Sequence, residues 1–152
     1  AGYGVTRVRD AAYLNWKYMD HPSLVYRALV ARRGAEVVGY MIWRLAPPGA
    51  GELRAVVTDF LVGHGDADAF RGLIGRVMVD AGAAGMESVS ILTTQPWAVG
   101  VLRNGGFMPR AARNTWVVAG WEAHMPAEWL RDIDAWHVCL GDSDGDIWTG
   151  SQ

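Results

Sequence analysis

Two titratable side chains stand where an apolar run gives way to a glycine-bearing turn, and both could move a proton. Asp59 is the only ionisable residue in the run 56–62, and a carboxyl held there with a raised pKa could deprotonate an amine. His64 follows in Gly63-His64-Gly65, and an imidazole titrates near neutral pH. A turn carrying Gly63 and Gly65 before a helix could also cradle a phosphate, because free backbone N–H groups and the positive end of the helix dipole converge there. Asp66 and Asp68 work against this, since carboxylates at a helix start accept those N–H groups themselves and repel an anion. Each feature also has a plainer reading, which the residues favour. Asp59 faces solvent or bonds neighbouring backbone, His64 is an exposed loop histidine, and the turn is a capped helix start without a ligand.

Other chemistries find less support. Asp142, Asp144 and Asp146 have the first spacings of an EF-hand loop, but Ile147 sits where its turn glycine belongs and the chain ends before the place of its bidentate glutamate. Cys139, the lone cysteine, has only His137 nearby, so no zinc spacing is present. Ser23, Ser88, Ser90, Ser143 and Ser151 lack a nucleophile-elbow setting. Trp16, Trp43, Trp97, Trp116, Trp121, Trp129, Trp136 and Trp148 exceed what a small core needs. They line a ligand cleft or an interface, or else form a tryptophan-rich core.

These residues need elements to position them. A length of 152 residues with 51% hydrophobic content fits a single domain over residues 1–152. A net charge of -2 and scattered arginines exclude broad attraction to nucleic acid. No signal-peptide core or membrane-length apolar run is present, and the single cysteine suits a reducing compartment, so the expectation is a cytoplasmic protein. The chain starts at Ala1 without a methionine, as a piece of something longer would.

Asp10 can cap a helix through Tyr13, Leu14, Lys17 and Tyr18, which His21-Pro22 stops, and no clear strand precedes it. Residues 26–33 and 37–45 read as a β-hairpin around Gly34-Ala35-Glu36, followed by a loop over 46–51. After the strand 56–62, Phe70, Leu73, Ile74, Val77, Met78 and Ala81 form the apolar stripe of a core-facing helix closed by Gly82 and Gly85. Residues 88–94 read as a buried strand, and Pro96 begins a helix ending at Gly105-Gly106-Phe107. Strands over 116–121 and 136–140 follow, with a helical turn over 126–130 between them. The order predicts an α/β (α+β) fold: a mixed, mostly antiparallel sheet with one parallel pair and flanking helices.

The element order, the strand-turn-helix at 56–85 and Leu102-Arg103-Asn104-Gly105-Gly106-Phe107 resemble the GNAT superfamily of acyl-CoA-dependent N-acyltransferases. Tyr13-Leu14-Asn15-Trp16-Lys17-Tyr18 with His21-Pro22, and Leu140-Gly141-Asp142-Ser143-Asp144, are similar to the second half of bacterial proteins built from two GNAT-like halves, a half that is often degenerate. The resemblance implies a splayed parallel pair whose gap holds acetyl-CoA, with its amide chain on Phe60, Leu61 and Val62 and its pyrophosphate at Gly63 and Gly65. It implies a small-molecule amine as acceptor, with Asp59 or His64 assisting. Two family features are missing. The pyrophosphate motif is absent, since Ile74 stands where Arg71 should be followed by glycine, and Leu102 occupies the place of the general-acid tyrosine. The expectation is an N-acyltransferase-like domain with a degenerate acyl-CoA site, or a non-catalytic half that packs on a catalytic GNAT domain or on its own copy as a homodimer. Replacing Asp66 and Asp68 by asparagine is expected to raise acetyl-CoA affinity about tenfold if charge alone closes the site.

Overall fold

The computed structural model describes residues 2–46, 53–110, 128–129 and 132–143. The expected strand 116–121, most of the loop 46–51 and of the turn 126–130, and Trp148, Asp144 and Asp146 lie outside them. The order is β1 (Val5–Thr6), α1 (Ala11–Leu14) continuing into a π-helical turn (Asn15–Met19), β2 (Arg27–Arg33), β3 (Glu36–Leu45), β4 (Arg54–Val62), α2 (Ala67–Ala83), β5 (Ser88–Ile91), α3 (Pro96–Asn104) and β6 (Trp136–His137). Short 3-10 turns at Ile133–Ala135 and Leu140–Asp142 flank β6.

The main sheet runs β2-β3-β4-β5, and a second, two-stranded sheet joins β1 to β6. The hairpin forms as expected, with the left-handed Gly34 at its tip. β3 meets β4 antiparallel through Met41↔Phe60 and Gly39↔Val62. Gly39 is required there, because a Cβ would lie 2.6 Å from Val62 Cγ1 and 2.8 Å from the Leu61 carbonyl. β4 and β5 are parallel and pair only from Arg54↔Ser88 to Val57↔Ile91. β4 then runs on to Val62 while β5 stops, so residues 58–62 have no strand partner on that edge among the described residues. This is the splay that the resemblance implies.

The stripe on α2 buries Phe70, Leu73, Ile74, Val77 and Ala81 against Met41, Trp43, Val57 and Phe60. Met78 does not join them and is exposed, because it falls at the margin of the stripe. Only Gly85, at φ +79°, ends the helix as the sequence suggests, while Gly82 remains helical. Two other expectations need correction. A first strand does exist, two residues long, and its partner is β6 from the far end of the chain. The strand expected over 136–140 stops at His137, because Asp142 draws the next residues into a turn by accepting from the Cys139 amide at 2.8 Å. Among the described residues no helix is long and apolar enough to cross a membrane.

Candidate functional site

The open edge of β4 is covered by the chain itself. β6 is anchored at the mouth of the splay, where Thr94 Oγ1 donates to the Trp136 carbonyl and Gln95 Nε2 donates to the carbonyls of Trp136 at 2.7 Å and Asp134 at 3.1 Å. From there His137 reaches β4, and its Nε2 lies 2.6 Å from the Phe60 carbonyl. A carbonyl only accepts, so Nε2 carries the proton and Nδ1 presents the lone pair. The Cys139 thiol points at the same carbonyl from 3.7 Å. Gly141 then lies against Thr58, so close that a Cβ would collide with Tyr18 Oη and come within 3.0 Å of the Thr58 carbonyl. Lys17 Nζ donates to the Gly141 carbonyl from the other side.

Beneath this segment lies a buried polar knot. Arg9 donates through Nε to Asp59 Oδ1 at 2.9 Å and through Nη2 to Asp142 Oδ2, and Nη1 reaches Thr6 Oγ1 at 2.7 Å. Tyr18 Oη donates to Asp59 Oδ2 at 2.9 Å, and Tyr40 Oη stands 3.5 Å from Oδ1. One arginine thus ties the N-terminal segment, β4 and the turn after β6 together. Burial pushes the Asp59 carboxyl up, and Arg9 opposes it. Burial lowers His137 to about 4, so the imidazole is neutral at pH 7. The Cys139 thiol is pushed well above its usual range by burial and by Asp59. Cys139 Sγ and His137 Nε2 are 3.5 Å apart, but a neutral thiol beside an imidazole committed to a carbonyl is not an activated nucleophile.

The residues singled out from sequence fall in different places. Asp59 is fully buried with both oxygens engaged, which corrects the expectation that it faces solvent or bonds backbone. His64 is exposed, its ring edge-on to Tyr3 at 5.4 Å and to Trp97 at 6.4 Å, and no described contact joins it to Asp59. Gly65 takes φ +76° in the turn. Asp66 caps α2 by accepting from the Ala69 amide at 3.2 Å, and Arg33 Nη2 holds both its oxygens at 3.2 Å. The amides of Asp66, Ala67 and Phe70 donate to the carbonyls of Gly63, Gly65 and Asp66. Asp68 is exposed and pairs with Arg71 at 2.7 Å. Phe60, Leu61 and Val62 do line the unpaired edge.

Sequence reasoning assigned no role to Arg9, Tyr40 or His137. The two motifs it quoted, around Tyr18 and Asp142, are brought together by the fold on either side of Asp59. Among the described residues no group of His, Cys, Asp or Glu could hold a metal.

Comparison with solved structures places this architecture. An aminoglycoside acetyltransferase, meta-AAC0020, from an uncultured soil metagenomic sample superposes with a TM-score of 0.55 at 14% identity, over 75% of this chain and 78% of that one. The ribosomal-protein-alanine N-acetyltransferase of Brucella melitensis biovar Abortus 2308 gives 0.52 at 17%, over 78% and 83%. The chain has the GNAT fold. TTHA1254 of Thermus thermophilus matches at 0.51 and 22%, over 62% of this chain and 72% of that one. No family model matches the sequence, and no curated protein does so significantly. What these GNAT-fold neighbours share with the chain at such identities is architecture. The mixed, mostly antiparallel sheet with its splayed parallel pair is that architecture.

Proposed function

We propose that this chain is an N-acyltransferase-like GNAT domain whose acyl-CoA crevice is filled by its own C-terminal segment, and that it serves as a non-catalytic half. The observation that carries this reading is the His137 Nε2 contact to the Phe60 carbonyl at 2.6 Å. That carbonyl belongs to the stretch that would otherwise pair with the amide chain of acetyl-CoA.

The residues present do not fit the cofactor at its other end either. A diphosphate at the start of α2 would need bare N–H groups, but those of Asp66, Ala67, Ala69 and Phe70 already donate within the chain. It would also meet the Asp66 carboxylate, which Arg33 holds at the helix start. Asp59, the one candidate base on β4, commits both oxygens to Arg9 and Tyr18 and has no solvent contact through which an amine could approach. No acyl-transfer step is therefore assigned to this chain.

As a non-catalytic half, the domain would pack on a catalytic GNAT domain or on its own copy. Trp16 supports this: it is 70% exposed, with Tyr13 at 6.1 Å between ring centroids, and large exposed aromatics commonly mark such interfaces.

Thermal unfolding with acetyl-CoA tests the reading. A ligand present at 100 times its Kd adds about 2.7 kcal/mol of stability, which an open crevice would show at millimolar acetyl-CoA, whereas the filled crevice should leave Tm unchanged. A rise of several degrees with Cys139 still protected from a thiol reagent would refute the filled crevice.

A further inference from the structure

We infer that residues 136–142 form a displaceable strap that occupies the open edge of β4 in the resting chain and can yield that edge to an extended, amide-bearing ligand. The inference deepens the reading above and rests on it.

The strap lies on β4 without pairing to it. Among the described residues β4 has ladder partners only in β3 and β5. The strap instead offers Phe60 an imidazole N–H and a thiol. Its amide at Cys139 is turned back to Asp142, and among the described residues β6 makes only two strand pairs, both with β1. An extended ligand with backbone-like amides could give this edge the regular hydrogen bonds that the strap does not.

The closed arrangement also leaves polar atoms unsatisfied. Tyr3 Oη, His137 Nδ1 and Asp142 Oδ1 are buried without a hydrogen-bond partner among the described residues. Tyr3 stacks on His137 with ring centroids 4.4 Å apart, so two of these atoms sit on one stacked pair. Opening returns such groups to water and recovers the desolvation that closure costs. Against this stand the Thr94 and Gln95 contacts to Trp136 and Val138, the two pairs with β1, the Arg9 bridge from Asp59 to Asp142 and the Lys17 contact to Gly141. The last two act as a latch at the C-terminal end of the strap.

Cys139 provides the reporter, being the single cysteine of the chain and 1% exposed. Its reaction with a thiol reagent is measured for the full chain across low denaturant concentrations. Local opening predicts a rate nearly independent of denaturant there, because little surface is exposed. Gly141→Ala pushes a methyl group against Tyr18 and the Thr58 carbonyl, and Asp142→Asn weakens the Arg9 latch. Each should speed labelling about tenfold or more, as a shifted opening equilibrium would. Should Gly141→Ala fail to fold, Asp142→Asn carries the test.

The ligand arm uses S-acetylpantetheine, which has the amide chain of acetyl-CoA without its diphosphate and so does not depend on the Asp66 turn. It should accelerate labelling of the wild type by holding the strap out. Labelling that follows global unfolding in every form, with no effect of S-acetylpantetheine, would overturn the strap and leave the filled crevice standing. Acetyl-CoA binding to the wild type with Cys139 still protected would overturn the filled crevice itself.

Discussion

Arg9 and Asp59 stand fifty positions apart, yet Nε donates to Oδ1 across 2.9 Å, and the two side chains are 1% and 0% exposed. Each is the main reason the other can stay charged away from water. Asp142 and Tyr18 complete the set, so the N-terminal segment, α1 and its π-helical turn, β4 and the turn after β6 converge on a single buried charge pair.

Breaking that pair from one side should be costly. Arg9→Met leaves Asp59 buried with only tyrosine hydroxyls, and removing one partner of a buried pair typically costs about 3–5 kcal/mol. The double variant Arg9→Met/Asp59→Leu removes both charges and should recover most of the loss, since a hydrophobic replacement of a buried ion pair is often neutral or stabilising. Urea unfolding of the four forms of the cycle measures the coupling. A single variant that loses under about 1 kcal/mol would show that the pair behaves as a surface bridge does.

The parts of this arrangement that were legible in the sequence are those set by local pattern. The period of Phe70, Leu73, Ile74 and Val77 places α2, Asp10 and Asp66 cap their helices, and the strand-helix-strand order requires the parallel β4–β5 pair. The filling of the splay was not legible. It depends on contacts such as His137 to Phe60, 77 positions apart, and Arg9 to Asp142, 133 apart, which leave no periodic trace. Asp59 shows the difference clearly: as the lone charge in an apolar run it reads as a candidate base, but its partner lies fifty positions away and turns it into a structural anion.

His137 should give the fold an acid-sensitive component. Its folded pKa is about 4 against an ordinary 6.5, so between these values the unfolded chain takes up a proton that the native state refuses. Stability from this group is complete above pH 6.5 and is lost as pH falls toward 4, by about 3 kcal/mol for a shift of this size. Asp59 runs the other way: its raised carboxyl pKa favours the native state below the ordinary carboxylate range, and that contribution is lost as pH rises. The difference between wild type and His137→Gln separates the two, because glutamine can donate to Phe60 without titrating. Denaturation midpoints from about pH 7 to about pH 4.5 should fall more steeply for the wild type, and parallel curves would show that the imidazole does not contribute.

The start of α2 allows charge and geometry to be separated as barriers to acetyl-CoA. Asp66→Ala removes the cap on the Ala69 amide and should cost about 1 kcal/mol. Asp66→Asn keeps the cap and gives up only the partly exposed pairing with Arg33, worth about 1 kcal/mol or less, and Asp68→Asn loses a more exposed pair with Arg71. If charge alone closed the site, the double asparagine variant would bind acetyl-CoA about tenfold better. With Phe60 engaged by a strap that must first be displaced, binding by the double variant should stay weak, and adding Gly141→Ala to lift the strap should strengthen it by about tenfold more. Calorimetric titration at low salt of the double and triple variants decides the matter: equal binding by the two would make the carboxylates the barrier and the strap incidental.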